Sequence, residues 1–226
     1  MAPALSIVVP TLNEAAGIAA HLEALQPLRA QGCEVVVVDG GSRDATVQIA
    51  RPLADVVLSA PRGRGTQLNA GARAARGDLL LFLHADTRLP PGAVEAVRAA
   101  LANGKRDWGR FDVEIEGRHP LLRVVARCIG WRSRLSGIAT GDQAIFVRRS
   151  HFESAGRFPE LPLMEDLALS TALRRAGRPA CLRLRVLTSG RRWESRGVLR
   201  TILLMWWLRL LFRLGRDPAA LARRYG

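Results

Sequence analysis

Apolar residues run almost unbroken through Leu5–Val9, Glu34–Val38 and Leu79–Leu83, and more weakly through Asp55–Leu58. Runs of that length predict strands buried on both faces of a parallel sheet. Between them the apolar positions recur at helical spacing. Glu14–Leu28 sets Ile18, Leu22, Leu25 and Leu28 on one stripe, and Thr11-Leu12-Asn13-Glu14 reads as a capping box. Asp44–Ala50 and Thr66–Arg76 predict shorter helices, and Pro90-Pro91 opens one reaching about Asn103. The βαβαβαβα order predicts a doubly wound α/β sheet.

The second half patterns differently. Arg110–Glu116 alternates as a half-buried strand, and Gln143–Val147 is a strand able to pair with it. His119–Arg134 reads as an amphipathic helix with its arginines on the wet side. Glu165–Ala176 is a further helix, Leu182–Leu187 a strand, and Val198–Leu214 a long helix of apolar residues and arginines. With no internal repeat and no low-complexity linker, residues 1–226 read as one unit. Its parts are a first half (1–104), a second half (105–190) and a basic, apolar helical segment (191–226).

Composition is ordinary for a folded chain, with 48% hydrophobic and 24% charged residues, which excludes disordered and fibrous classes. The formal net charge is +14, and Lys105 is the single lysine among 34 basic residues. So strong an arginine bias weakens net charge as a sign of nucleic acid. Its placement says more: residues 183–226 hold eleven arginines against Glu194 and Asp217. A basic segment of that kind suits an anionic surface. Cys33, Cys128 and Cys181 have neither metal-site nor disulfide spacing. MAPALSIVVP lacks the basic start and apolar length of a secretory leader, and no stretch reaches the ~18 apolar residues of a membrane span. The expected location is cytoplasmic, at the inner face of the cell membrane if the last helix meets lipid.

Ligands in open α/β sheets bind at the carboxyl ends of the strands. Those ends carry Pro10-Thr11-Leu12-Asn13-Glu14, Asp39-Gly40-Gly41-Ser42, Arg62-Gly63-Arg64-Gly65 and His84-Ala85-Asp86. Three carboxylates and a glycine–arginine loop would share one rim, a setting for a nucleotide and a divalent cation. A dinucleotide fingerprint is excluded, because PTLNE follows the first strand without a glycine; no Gly-Lys-Ser/Thr is present either. A nucleotidyltransferase reading lacks the glycine-rich phosphate turn expected at the same place.

IVVPTLNE, VVVVDGGSRDAT, PRGRGTQLNAGARAARGD, LLFLHADT, GDQAIFVRR and PLMEDLALSTALRRAG follow one another in an order that resembles glycosyltransferase family 2. The likeness is greatest to the short bacterial subgroup labelled radical-SAM/selenodomain-associated or arsenosugar-biosynthesis transferases. It implies a GT-A fold with a mixed, mainly parallel sheet. It also implies a nucleotide-sugar donor, Mn²⁺ or Mg²⁺, and inversion at the anomeric carbon. UDP is the expected nucleotide, with GDP open.

The resemblance assigns roles. Asp39 would accept hydrogen bonds from the base, with Pro10, Thr11, Asn13, Glu14 and Gly40 forming the loops around it; Asp39 is equally a turn aspartate, and Glu14 a capping acid. Asp86 would hold the metal against the donor diphosphate. His84 stands where the family pattern has an aspartate, and hydrogen bonding to backbone is favoured for it over metal ligation. Arg64 has the geometry to grip a phosphate, and Asn69 follows on the same helix start. Asp166 is the implied base, drawing the proton from an acceptor hydroxyl, with Glu165 orienting it. Two acids at a helix start also suit the macrodipole. Asp142 and Gln143 would border the acceptor or donor sugar. Arg192 and Trp193 resemble the end of a Q-x-x-R-W motif, although Ser189 replaces its glutamine, which argues against processive synthesis.

The last helix pairs tryptophans with Arg209, Arg213 and Arg216 at i, i+4 and i+7, which fits an anionic membrane surface and a lipid-linked acceptor. Packing on the domain, or dimerisation with snorkelling arginines, fits equally. The alternative to an enzyme is a non-catalytic α/β protein that binds membrane or nucleic acid through this segment; for the transferase itself no nucleic acid partner is expected.

Overall fold

The computed structural model describes residues 4–225; Met1–Pro3 of the N-terminus read above, and Gly226, lie outside the described residues. The first half holds β1 (Leu5–Thr11), α1 (Ile18–Glu23), α2 (Gln26–Ala30), β2 (Glu34–Asp39), α3 (Thr46–Ala50), β3 (Val56–Ser59), α4 (Arg64–Ala74), β4 (Leu79–Phe82), β5 (Thr87–Arg88) and α5 (Ala93–Ala102). The second holds β6 (Trp108–Glu116), α6 (Leu121–Ser136), β7 (Phe146–Arg148), α7 (Arg149–Ser154), α8 (Glu165–Ala176), β8 (Ala180–Ser189), α9 (Arg191–Arg196), α10 (Val198–Arg213) and α11 (Pro218–Tyr225).

The strands form one mixed sheet in the order β3-β2-β1-β4-β7-β6-β8-β5. β3, β2, β1 and β4 are parallel, with Val8 opposite both Val36 and Phe82. β7 runs antiparallel to β4 and β6, β8 lies parallel to β6, and β5 pairs antiparallel with β8. Successive strand residues point to opposite faces. β1 therefore sends Leu5, Ile7 and Val9 into a layer with α1, α5 and α6, and Val8 into another with α4, α7 and α8. Each fully buried Val, Leu or Ile contributes roughly 1.5–3 kcal/mol. That burial holds α1, α4 and α5 in place, since none of them has a side-chain N-cap bond. α4 lies so near the sheet that a Cβ on Gly71 would come 2.3 Å from Val8 Cγ1.

Some sequence expectations are corrected. The helix expected over 14–28 is two short ones. Thr11 ends β1 with its hydroxyl directed at the Val38 carbonyl, 3.5 Å away, and Asn13 turns through φ 54°, so no capping box forms. α1 then starts at Gly17 without a cap, and α2 starts with Pro27 in its first turn. A capping box does occur between Thr140 and Gln143, on the 3₁₀ turn before β7. In β6, alternation holds only from Asp112 onward. Arg110 is fully buried, donating to Ser133 Oγ at 3.0 Å and Gly130 O at 3.2 Å and pairing with Asp112. Arg191, Arg192 and Trp193 lie on a short helix of their own, α9, and Arg216 falls beyond the end of α10.

α10 has two apolar faces. Leu208 is buried with Leu163, Met164, Leu167 and Leu221 of α11, and Leu204 and Leu211 pack on that cluster. Leu199, Leu203, Trp206, Trp207 and Leu210 are exposed, as are Val124, Trp131 and Leu135 of α6. No helix among the described residues is long and apolar enough to cross a membrane.

Candidate active site

The carboxyl ends of β1 and β2 are fastened to each other by side chains. Buried Gln67, on α4, donates to the carbonyls of Thr11 and Val38, each at 2.9 Å. Gly40 lies beneath it: a Cβ there would meet the Gln67 amide at 2.9 Å. The Asn13 N–H donates to Ser42 Oγ and Asn13 Oδ1 accepts from the Arg43 N–H, both at 2.8 Å. Asp39 is buried, and Oδ2 accepts from the Gly41 and Ser42 N–H groups at 2.9 Å while Oδ1 takes the Ser42 hydroxyl. Its turn role is thus realised, and a base at this rim would share an occupied carboxylate. Pro10 is buried within β1, and the Glu14 N–H donates to Thr46 Oγ1 at 2.8 Å. Burial pushes the Glu14 carboxyl up; Arg191 pulls it back, and Asp86 and Asp44 add to the rise.

Beside this rim a cavity of about 610 Å³ opens. Arg64, Asp86, Asp142, Asp166, Arg192 and Trp193 all line it, together with His84. Asp86 is exposed; its side chain accepts from Thr87 Oγ1 at 3.3 Å, and its carbonyl accepts from the Ser189 N–H at 3.1 Å, which ties the β4 end to β8. Burial first, and Arg64 second, push the His84 imidazole below the usual histidine range, so it stands neutral at physiological pH. Gly141 is what lets it approach Asp166: a Cβ there would fall 2.7 Å from the His84 ring and 3.6 Å from Asp166 Oδ2.

α8 begins after Met164, which adopts φ 69°. Asp166 Oδ2 accepts from the Gly141 N–H and Oδ1 from the Leu167 N–H, both at 2.7 Å, so the carboxylate is oriented from two sides. Each oxygen keeps a lone pair for a ligand. Glu165 is buried and pairs with Arg64 Nε at 2.9 Å. Burial and Asp166 push the Glu165 carboxyl up, and Arg64 pulls it back. Arg192 lies over the Tyr225 ring, 4.0 Å from its centroid.

Asn69 and Gln143 serve the frame. The Asn69 side chain exchanges hydrogen bonds with the backbone of Phe158 at 2.8 and 3.0 Å, and buried Gln143 bonds Thr140 and the Phe111 carbonyl. Neither lines the cavity. Conversely, the sequence pattern set Arg132 on the wet side of its helix and Arg209 on a face suited to an anionic membrane surface; both line the cavity. The signal was the spacing: Thr201, Met205, Leu208 and Arg209 recur at helical intervals on the inward side of α10.

No group of three or more His, Cys, Asp or Glu side chains is arranged to hold a metal among the described residues. Exposed Asp86 supplies one hard oxygen donor on the cavity wall. A single carboxylate fits a divalent cation whose remaining ligands are phosphate oxygens and water, not a site made by protein alone.

A mixed sheet with acidic loops at its carboxyl rim, and a cavity walled by the second half of the chain, is the GT-A form of α/β architecture. Residues 6–149 match the model of Glycosyl transferase family 2, and the chain belongs to that family. Among curated relatives, it is 31% identical over 158 residues to undecaprenyl-phosphate 4-deoxy-4-formamido-L-arabinose transferase of Pseudomonas aeruginosa, across 64% of this chain and 46% of that protein. The crystal structure of S. aureus TarS 1-349 superposes with a TM-score of 0.66 at 21% identity, over 84% of this chain and 61% of that one. The mannosyltransferase PcManGT from Pyrobaculum calidifontis, in complex with GDP-Man and Mn²⁺, gives 0.62 at 24% identity, over 83% and 57%. At these identities the structures share the fold. The chain spans between a third and a half of the length of the curated relatives it matches.

Proposed function

We propose that this protein is a metal-dependent, inverting glycosyltransferase that moves a sugar from a nucleotide-diphosphate donor, with UDP the expected nucleotide, to a hydroxyl of a lipid-linked acceptor. The observation that carries the reading is the convergence of Arg64, Asp86 and Asp166 on one cavity at the carboxyl rim of a family 2 fold. Residues 1–104 would supply the nucleotide floor, 105–190 the acceptor side and 191–226 the covering helices.

In this reading the acceptor oxygen attacks the anomeric carbon as the bond to the diphosphate breaks, and the hydroxyl proton passes to Asp166. Two backbone N–H donors hold that carboxylate facing the cavity, which removes the rotational freedom a lone aspartate would have. Arg64, kept in place by Glu165, would meet a phosphate oxygen of the donor. A divalent cation on Asp86, Mn²⁺ or Mg²⁺, would neutralise charge on the departing nucleoside diphosphate. Arg192 and Trp193 would border the diphosphate and acceptor. The exposed faces of α6 and α10 suit an anionic membrane surface, where a lipid-linked acceptor resides. The undecaprenyl-phosphate in the name of the Pseudomonas relative supports the lipid part of that acceptor, and not its hydroxyl.

The test is a melting-temperature series with UDP, GDP, ADP and CDP, each with and without Mn²⁺. A diphosphate at 100 times its Kd stabilises the fold by about 2.7 kcal/mol. One diphosphate should raise Tm only with metal, and Asp86→Ala should abolish the rise. No shift with any of them overturns the reading.

A further inference from the structure

The cavity has a second end that the donor chemistry leaves unused. Arg132, in the last turns of α6, and Arg209, in the last turns of α10, both face it, and the Nε of each is buried without a hydrogen-bond partner. Arg132 Nη2 lies 3.5 Å from Thr140 Oγ1, a weak contact. A guanidinium keeps its charge in any protein, so the two are like charges facing one cavity, each only partly exposed. Burial and Arg209 push Arg132 down to about 10, against partial relief from Asp142 and Asp166. Asp142 Oδ1, an acceptor, is also buried without a partner. The two unpaired Nε donors leave a place for an anion between the guanidiniums.

The surroundings define what carries the anion. One and two turns before Arg132, α6 presents Cys128 and Val124 to the cavity; one and two turns before Arg209, α10 presents Met205 and Ile202. Two helical turns span about 11 Å, so the arginine pair closes one end of an apolar slot of that length. Exposed Trp206 also lines the cavity. Asp166, on the same cavity, faces the arginine end.

Building on the transferase reading, we propose that Arg132 and Arg209 form an oxyanion seat for the acceptor, an amphiphile with a phosphate or carboxylate beside its accepting hydroxyl and an apolar chain in the slot between α6 and α10. The seat sets the headgroup so that the hydroxyl meets Asp166. Specificity for an acidic acceptor then comes from α6 and α10, and not from the strand ends that hold the donor.

Octyl phosphate, octanoate, neutral octyl glucoside and inorganic phosphate, all below micelle-forming concentrations, are titrated into the full chain by calorimetry. Octyl phosphate or octanoate should bind at least tenfold more tightly than both octyl glucoside and inorganic phosphate. The tighter of the two names the acid. Arg132→Gln and Arg209→Gln should each lose tenfold or more, and Arg73→Gln, exposed on α4, should lose nothing. Binding should persist with UDP and Mn²⁺ present. Equal binding of neutral and anionic probes to the unaltered protein overturns the seat without recourse to any variant. Displacement by UDP also overturns it, by giving the arginines to the donor. Anion selectivity without any nucleoside diphosphate binding would instead sink the transferase reading and leave the seat standing.

Discussion

The Arg64 guanidinium meets the Glu165 carboxylate at 2.9 Å, joining the first residue of α4 to the first residue of α8. The glutamate is buried and the arginine is partly solvated, so the partners are unequal. Removing the arginine strands a buried acid; removing the acid frees an arginine that water can still reach.

That inequality gives the first prediction. Arg64→Ala should lower stability by about 1–3 kcal/mol, the cost of leaving a buried polar group unpaired. Glu165→Gln added to it should restore most of the loss. The nucleoside diphosphate response should stay absent in both, because the phosphate contact is gone. Urea unfolding and melting shifts with UDP and Mn²⁺ separate the two effects.

Asp166→Asn should reduce transfer by roughly 100- to 10,000-fold, the range for losing a general base. Diphosphate affinity should change less than threefold, since Asp166 touches the acceptor side. One of its two backbone donors will face an amide NH₂ in the variant, so a small fall in Tm is expected as well. Transfer assays read against diphosphate titrations decide it; equal loss in both would give Asp166 to the donor.

His21 supplies a pH dependence. It is buried on α1, its Nε2 has no partner, and burial pushes it down to about 4 from 6.5. Between those values the unfolded chain takes up a proton that the folded chain refuses. Stability is full above pH 6.5 and falls as pH drops towards 4, by up to about 1.4 kcal/mol per unit. His84 acts in the same sense, whereas Glu14 and Glu165, pushed up by burial, act against it as they protonate. Comparing Tm against pH for the protein and for His21→Gln isolates the His21 share, which should flatten the slope.

Exposed Leu203 and Trp207 give the membrane prediction. Anionic vesicles should bind the protein more tightly than zwitterionic ones, each arginine near the surface adding about 1 kcal/mol at low salt. Leu203→Ser combined with Trp207→Ser should weaken binding at least tenfold in cosedimentation. Binding indifferent to both lipid charge and these substitutions would contradict a membrane-facing α10.

The parallel half of the sheet was legible because β1, β2 and β4 are buried on both faces, which leaves unbroken apolar runs in the chain. α8 begins at Glu165 and ends at Ala176, as its pattern predicts. What misled was polar chemistry with two uses. Thr11 and Glu14 spell a capping box, yet the strand claims Thr11 first. Asn69 and Gln143 sit where a ligand contact was expected, and their amides instead satisfy backbone groups that would otherwise be buried unpaired. Arginine was the hardest to place. Arg110 is drawn from a pattern that reads as a wet face, and its burial depends on a partner far away in sequence, Ser133.

The outer face of α10 also governs how the protein behaves in a tube. Leu199, Leu203, Trp206, Trp207 and Leu210 form a sticky patch that water does not tolerate well. A net charge of +14 keeps copies apart. Salt shortens the reach of that repulsion to about 8 Å at physiological strength, while leaving the patch uncovered. Colloidal stability should therefore decline as salt rises, and a mild nonionic detergent should restore it. Loss of signal in a salty buffer would report clumping of the chain before it reported any loss of ligand.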